Sequence, residues 1–119
     1  MTPQEIILLM PVPPSLNKLY SQKHWSARSN MKNKYREIVY AALQEYDPFF
    51  AQTYSLDISY NCPYDVDNMV LASKFVSDSL KSLGYIKDDS PRYFKKLSIR
   101  KDEEIEKGYA KVIIRYYGE

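Results

Sequence analysis

The chain is 119 residues and 14.0 kDa, with 45% hydrophobic and 27% charged residues, a composition that excludes disorder as the main state and predicts one globular domain over residues 1–119. Its longest apolar run, residues 6–12, is far short of the roughly 20 residues that span a bilayer and follows no basic segment, so no membrane partner and a cytoplasmic location are expected. The net charge of +2 conceals an asymmetry: residues 6–36 hold six basic and no acidic side chains, and the remainder carries −4, which pairs a cationic arm suited to a polyanion with a carboxylate-rich body.

In chain order, residues 6–10 form a continuous apolar run closed by Pro11, Pro13 and Pro14, which predicts a strand buried on both faces and then an extended stretch. From Ser29 or Asn30 as N-cap, Met31, Tyr35, Ile38, Ala42 and Tyr46 recur at helical spacing until Asp47 and Pro48; this predicts a first helix. Tyr54, Leu56, Ile58 and Tyr60 alternate with Ser55, Asp57, Ser59 and Asn61, the period of a half-buried strand. After Asp65-Val66-Asp67-Asn68, apolar Met69, Ala72, Val76, Leu80 and Leu83 follow helical spacing up to Gly84, a natural C′ residue. Val70, Leu71 and Phe75 widen this second helix's apolar face enough to predict burial on two sides. Residues 94–100 and 109–117 read as two further strands joined by a polar hairpin loop.

The predicted order is β-α-β-α-β-β, an α+β domain with a mixed sheet packed by two helices, because a helix returns a strand parallel and a hairpin returns it antiparallel.

One cysteine, Cys62, and one histidine, His24, exclude an internal disulfide and a Cys/His zinc site, so any metal here has hard oxygen ligands. Asp65 and Asp67 stand two apart where a strand ends and a helix begins, and in extended chain both side chains point to one side. They read either as half of a divalent-metal site or as a solvated loop residue and an N-cap. Asp88-Asp89 follows the second helix and needs a chain reversal to approach them. Lys74 shares a helix face with Asp67, about two turns on, and is placed either to neutralise phosphoryl charge or to pair with Asp78 at i, i+4.

Four stretches together resemble the RusA-like Holliday junction resolvases, a family of small bacterial and phage endodeoxyribonucleases: Pro11-Val12-Pro13-Pro14-Ser15-Leu16-Asn17-Lys18-Leu19-Tyr20, Asp65-Val66-Asp67-Asn68, Lys74 with Asp78-Ser79-Leu80, and Gly84-Tyr85-Ile86-Lys87-Asp88-Asp89. Their order and separation cover most of the chain. The resemblance implies a homodimer that binds four-way junction DNA and nicks two opposed strands with magnesium or manganese. It maps metal-site carboxylates onto Asp65, Asp67 and Asp89, with Asp88 beside them, and an essential lysine onto Lys74. The family's lysine commonly stands four residues after the second aspartate, where this chain has Leu71. The Pro-Pro-Ser-x-Asn loop corresponds to a DNA-facing segment, so Asn17 and Lys18 join Lys23, Arg28 and Lys32 as expected phosphate contacts, with Tyr20 or Trp25 able to stack on an opened base or to pack in the core. A less selective metal nuclease and a non-catalytic DNA-binding module are the competing classes.

Overall fold

The structure, a computed structural model, describes residues 3–13 and 25–118, the side chains of 25–28 excepted. The strands and helices among them follow the predicted order: β1 (Gln4–Pro11), α1 (Trp25–Leu43), β2 (Ala51–Tyr60), a 3-10 turn (Val66–Met69) running into α2 (Val70–Ser82), β3 (Phe94–Lys101) and β4 (Tyr109–Gly118). They build an α+β domain in which the sheet order is β1-β4-β2-β3. Strand β4 is antiparallel to both β1 and β2, and β2 is parallel to β3.

Alternation sorts the sheet into two faces. Tyr54, Leu56, Ile58 and Tyr60 of β2, Ala110, Val112, Ile114 and Tyr116 of β4, and Ile6, Leu8 and Met10 of β1 are buried in one cluster. Register aligns them in rows, such as Ile6 beside Ile114 and Ile114 beside Leu56. Both helices contribute to this cluster: α1 with Tyr35, Val39 and Leu43, and α2 with Leu71, Ala72, Phe75, Val76 and Leu80. The stacked rings of Tyr35 and Phe75, 5.0 Å between centroids, join the helices; such a pair adds about 0.5–1.5 kcal/mol to simple burial.

Three expectations are corrected. Strand β1 is an edge strand buried on one face only, with Ile7 48% and Leu9 56% exposed; its unbroken apolar run reads as two-sided burial, but among the described residues no layer covers the second face. Helix α1 begins before Ser29 and ends at Leu43, where residues 44–46 close in i→i+3 turns. Tyr46 therefore leaves the helical stripe. Its hydroxyl accepts from Ile7 N at 3.1 Å and donates to Ile7 O at 3.0 Å, which satisfies the outer edge of β1 at one residue.

The hairpin between the last two strands is the third correction, because β2 lies between β3 and β4. Residues 102–108 instead cross over the end of β2, and Asn61 holds them there. Its backbone N–H donates to Tyr109 O at 3.1 Å, its O accepts from Gly108 N at 2.8 Å, and its side-chain amide donates to Ile105 O at 2.6 Å. A polar seven-residue gap fits either connection, and only the pairing preference of β2 decides between them. Asn61→Ala is expected to destabilise the fold by about 0.5–1.5 kcal/mol, the net worth of a hydrogen bond, measured as a lower urea midpoint. An unchanged midpoint would show that the crossing closes without the side-chain bond.

Buried Tyr54 shares a 2.8 Å hydrogen bond with Ser77 Oγ under α2. Burial pushes its phenol up to about 12, opposed by the Ser77 bond and reinforced by Asp89, Asp78 and Asp88. The folded value lies above the roughly 10 of an unfolded tyrosine, so the stabilisation is complete below about pH 10 and is lost as pH rises towards 12. Urea midpoints are expected to fall across that window, and Tyr54→Phe is expected to flatten the fall. An equally steep fall in the variant would assign the effect to other phenols.

Candidate functional site

The acidic turn stands at the C-terminal end of β2. Buried Tyr60 donates its hydroxyl to Tyr64 O at 2.8 Å and so ties the chain down just before Asp65. Asp65 takes the cap position of the 3-10 turn in extended conformation, φ −69° and ψ 157°, with no side-chain cap bond; its backbone O accepts from Asn68 N at 3.0 Å. Met69, fully buried, anchors the far side of the turn. Asp67 is thus in the first turn, not at the N-cap. Both carboxylates are exposed, and among the described residues neither has a cation within ion-pair distance. The positive end of α2 supplies part of what they lack.

A second charged cluster lies farther along α2. The helix closes at Gly84, whose φ of 85° suits glycine, with Gly84 N donating to Lys81 O and Tyr85 N to Leu80 O, the paired bonds of a Schellman end. A bridge between Ile86 and Ala51 then turns the chain back along β2. This reversal brings Asp89 Oδ2 to 3.4 Å from Lys74 Nζ, which also stands 3.5 Å from Asp78 Oδ1. Lys32 of α1 approaches Asp78 Oδ2 at 3.8 Å, and Lys81 pairs with Asp88 at 3.0 Å.

Asp78 above all holds the Lys74 ammonium above its ordinary pKa; burial opposes it, and Asp89 adds to the rise. The Lys81–Asp88 hydrogen bond raises the lysine and lowers the aspartate. Lys74 therefore makes the expected i, i+4 pair with Asp78 and, in addition, a contact to the loop aspartate Asp89 that the sequence did not indicate. It makes no ion pair with Asp65 or Asp67.

The predicted site residues thus fall into two groups. Asp65 and Asp67 share one turn, whereas Asp88 and Asp89 stand in the loop after α2, engaged by Lys81 and Lys74. Among the described residues no three His, Cys, Asp or Glu side chains are placed to hold a metal ion. The donor chemistry of Asp65 and Asp67 nevertheless fits magnesium, which keeps much of its water and is held by one or two carboxylates together with substrate phosphates. Asn17, Lys18 and Lys23, like Tyr20 and His24, lie outside the described residues, as do the side chains of Trp25 and Arg28.

Sequence reasoning missed two features. Arg36 lies one turn beyond Lys32 on α1 and donates to Ser82 Oγ of α2 at 3.2 Å; the i, i+4 spacing of the two cations was the available signal. On the uncovered sheet face, Asp57 accepts from Arg100 at 3.3 Å and Arg115 at 3.4 Å, and Arg115 also reaches Glu5 at 3.3 Å. No model of a known protein family matches the chain, and no curated protein matches it either.

The Lys74 contacts are exposed enough that solvent screens them, so a Lys74→Met, Asp89→Asn double-mutant cycle is expected to give a coupling of about 1 kcal/mol or less in stability. A coupling well above that would make the pair structural and remove the need for a chemical role.

Proposed function

We propose that the protein is a metal-dependent, structure-specific endodeoxyribonuclease that resolves four-way DNA junctions by paired nicks, as its resemblance to the RusA-like resolvases implies. The observation that carries the reading is the pair of exposed carboxylates on Asp65 and Asp67, without a described cation partner, at the end of a strand. Two like charges so close in sequence favour a cation between them. Asp65 and Asp67 would hold magnesium or manganese, with Asp89, and Asp88 beside it, as the further carboxylates that the resemblance implies. When bound, such an ion supplies an activated water and charge to stabilise a leaving 3′ oxygen.

The chain's own groups do the remaining work. Lys74, paired with Asp78 and Asp89, is a positive charge on the helix that follows the acidic turn, suited to offset charge on a phosphoryl group. Lys32, with Asn17, Lys18, Lys23 and Arg28, would bind backbone phosphates without regard to sequence. Two opposed incisions need two acidic turns, hence a twofold dimer. The wide apolar face of α2 leaves little for a subunit contact, because all of it but Val70 is buried inside the chain. Ile7, Leu9 and Tyr117, exposed on β1 and β4, are better suited to it.

A non-catalytic DNA-binding module is the second reading, and the pairing of Asp89 with Lys74 favours it, since that carboxylate is already neutralised. The two readings separate on one substrate set: a synthetic four-way junction and its linear duplex arms, each with magnesium, manganese or chelator. The nuclease reading predicts metal-dependent, paired cutting of the junction, and Asp67→Asn is expected to abolish cutting while retaining junction binding. Equal loss of binding and cutting in a folded Asp67→Asn variant would remove Asp67 from the metal site. Binding without cutting by the unaltered protein would leave the module reading, and cutting of all DNA forms alike would leave a less selective nuclease.

A further inference from the structure

Outside the stacked rings of Tyr35 and Phe75, a groove of about 430 Å³ opens between α1 and α2. Buried Phe75 lines it between the helices, and Lys32, Arg36 and Lys81 stand along it, against the single carboxylate of Asp78. Lys32 and Arg36 are one helical turn apart, about 6 Å along the α1 axis, and Lys81 faces them from α2. The other cations of this crossing have carboxylate partners: Lys32 and Lys74 share Asp78, and Lys81 has Asp88. Arg36 has none among the described residues. Its one hydrogen bond among the described residues is the 3.2 Å bond to Ser82 Oγ, which steadies the guanidinium across the groove and leaves the rest of its donor fork without a described acceptor.

A solvated basic helix face would account for Lys32 and Arg36 alone. It does not account for cations from two helices meeting at one groove, or for a guanidinium held there by a hydroxyl rather than a carboxylate. Fixed donors in a fork, flanked by point charges, are the chemistry that recognises phosphate oxygens.

We infer that the groove between α1 and α2 is a phosphate-binding groove, with Arg36 as its principal ligand and Lys32 and Lys81 flanking it. Resting on the nuclease reading, the phosphate is a backbone phosphodiester of the DNA strand. The exposed stripe of α2 that begins at Lys74 and passes Asp78 ends at this groove, so a strand lying along the stripe would reach it. Free inorganic phosphate is the other source of the same chemistry.

The test uses chelator throughout, so that no cutting intervenes. Affinity for a fluorescent four-way junction is measured by polarisation over a series of salt concentrations for the unaltered protein, Arg36→Gln, Arg36→Lys and Ser82→Ala, with sodium phosphate titrated separately by calorimetry. Arg36→Gln is expected to weaken binding and flatten the slope of log K against log[salt] by about 0.9, the loss of one phosphate contact. Arg36→Lys is expected to restore the slope without the full affinity, which keeps the result readable if the glutamine variant folds poorly. Ser82→Ala is expected to weaken binding with the slope unchanged.

A protein that cuts junctions with metal, and whose slope is the same in Arg36→Gln, would overturn the groove and leave the nuclease reading standing. Arg36-dependent binding of inorganic phosphate, with no junction binding by the unaltered protein, would support the groove and overturn its assignment to DNA.

Discussion

Helix α2 is buried on two sides, and the placement of polar groups in the rest of the molecule follows from that constraint. One side packs on the sheet through residues such as Val76 and Leu80, and another meets α1 through Phe75. Even its small polar residues are enclosed: Ser73 donates to Val70 O and Ser79 to Phe75 O, and Ser77 shares its hydroxyl with Tyr54. Local bonds of this kind make buried serine tolerable in a helix. What remains in contact with water is a stripe containing Val70, Lys74, Asp78, Lys81 and Ser82. Among the described residues, every ion pair that α2 makes, and its bond to Arg36, belongs to that stripe.

Strand β2 plays the complementary part. It is hydrogen-bonded on both sides, antiparallel to β4 and parallel to β3, so its two ends are fixed points for the loops around it. At its end Tyr60 and Asn61 position the acidic turn and the crossing loop; at its start Ala51 receives Ile86 and returns Asp89 towards α2. The face of the sheet away from the helices is held by charge. Asp57 accepts from guanidinium groups on β3 and β4, and Glu5 of β1 adds a third carboxylate contact by reaching Arg115. Such cross-strand pairs connect strands that no helix covers.

Local pattern carried much of this into the sequence. Alternation in β2 identified its inward residues, the 3.6-residue period of α2 revealed its double burial, and Gly84 marked its end, because each depends on neighbours along the chain. Pairing partners do not. The polar stretch after β3 is as compatible with a hairpin as with a crossing over β2, and the apolar run of β1 cannot say whether a second layer exists. That Asp65 and Asp67 share one turn between a strand and a helix was legible for the same local reason. That Asp89 meets Lys74, and that Arg36 meets Ser82, depends on a chain reversal and on a helix crossing, both set by packing between elements distant in sequence.

Paramagnetic broadening tests the proposed binding of a divalent ion at the turn carrying Asp65 and Asp67 without requiring any activity. Manganese added in small steps to isotopically labelled protein should broaden the backbone amide signals of residues 65–68 first, and Asp65→Asn or Asp67→Asn should delay that broadening to higher metal concentration. Signals of the turn that stay sharp while another acidic stretch, such as residues 102–106, broadens first would contradict the account.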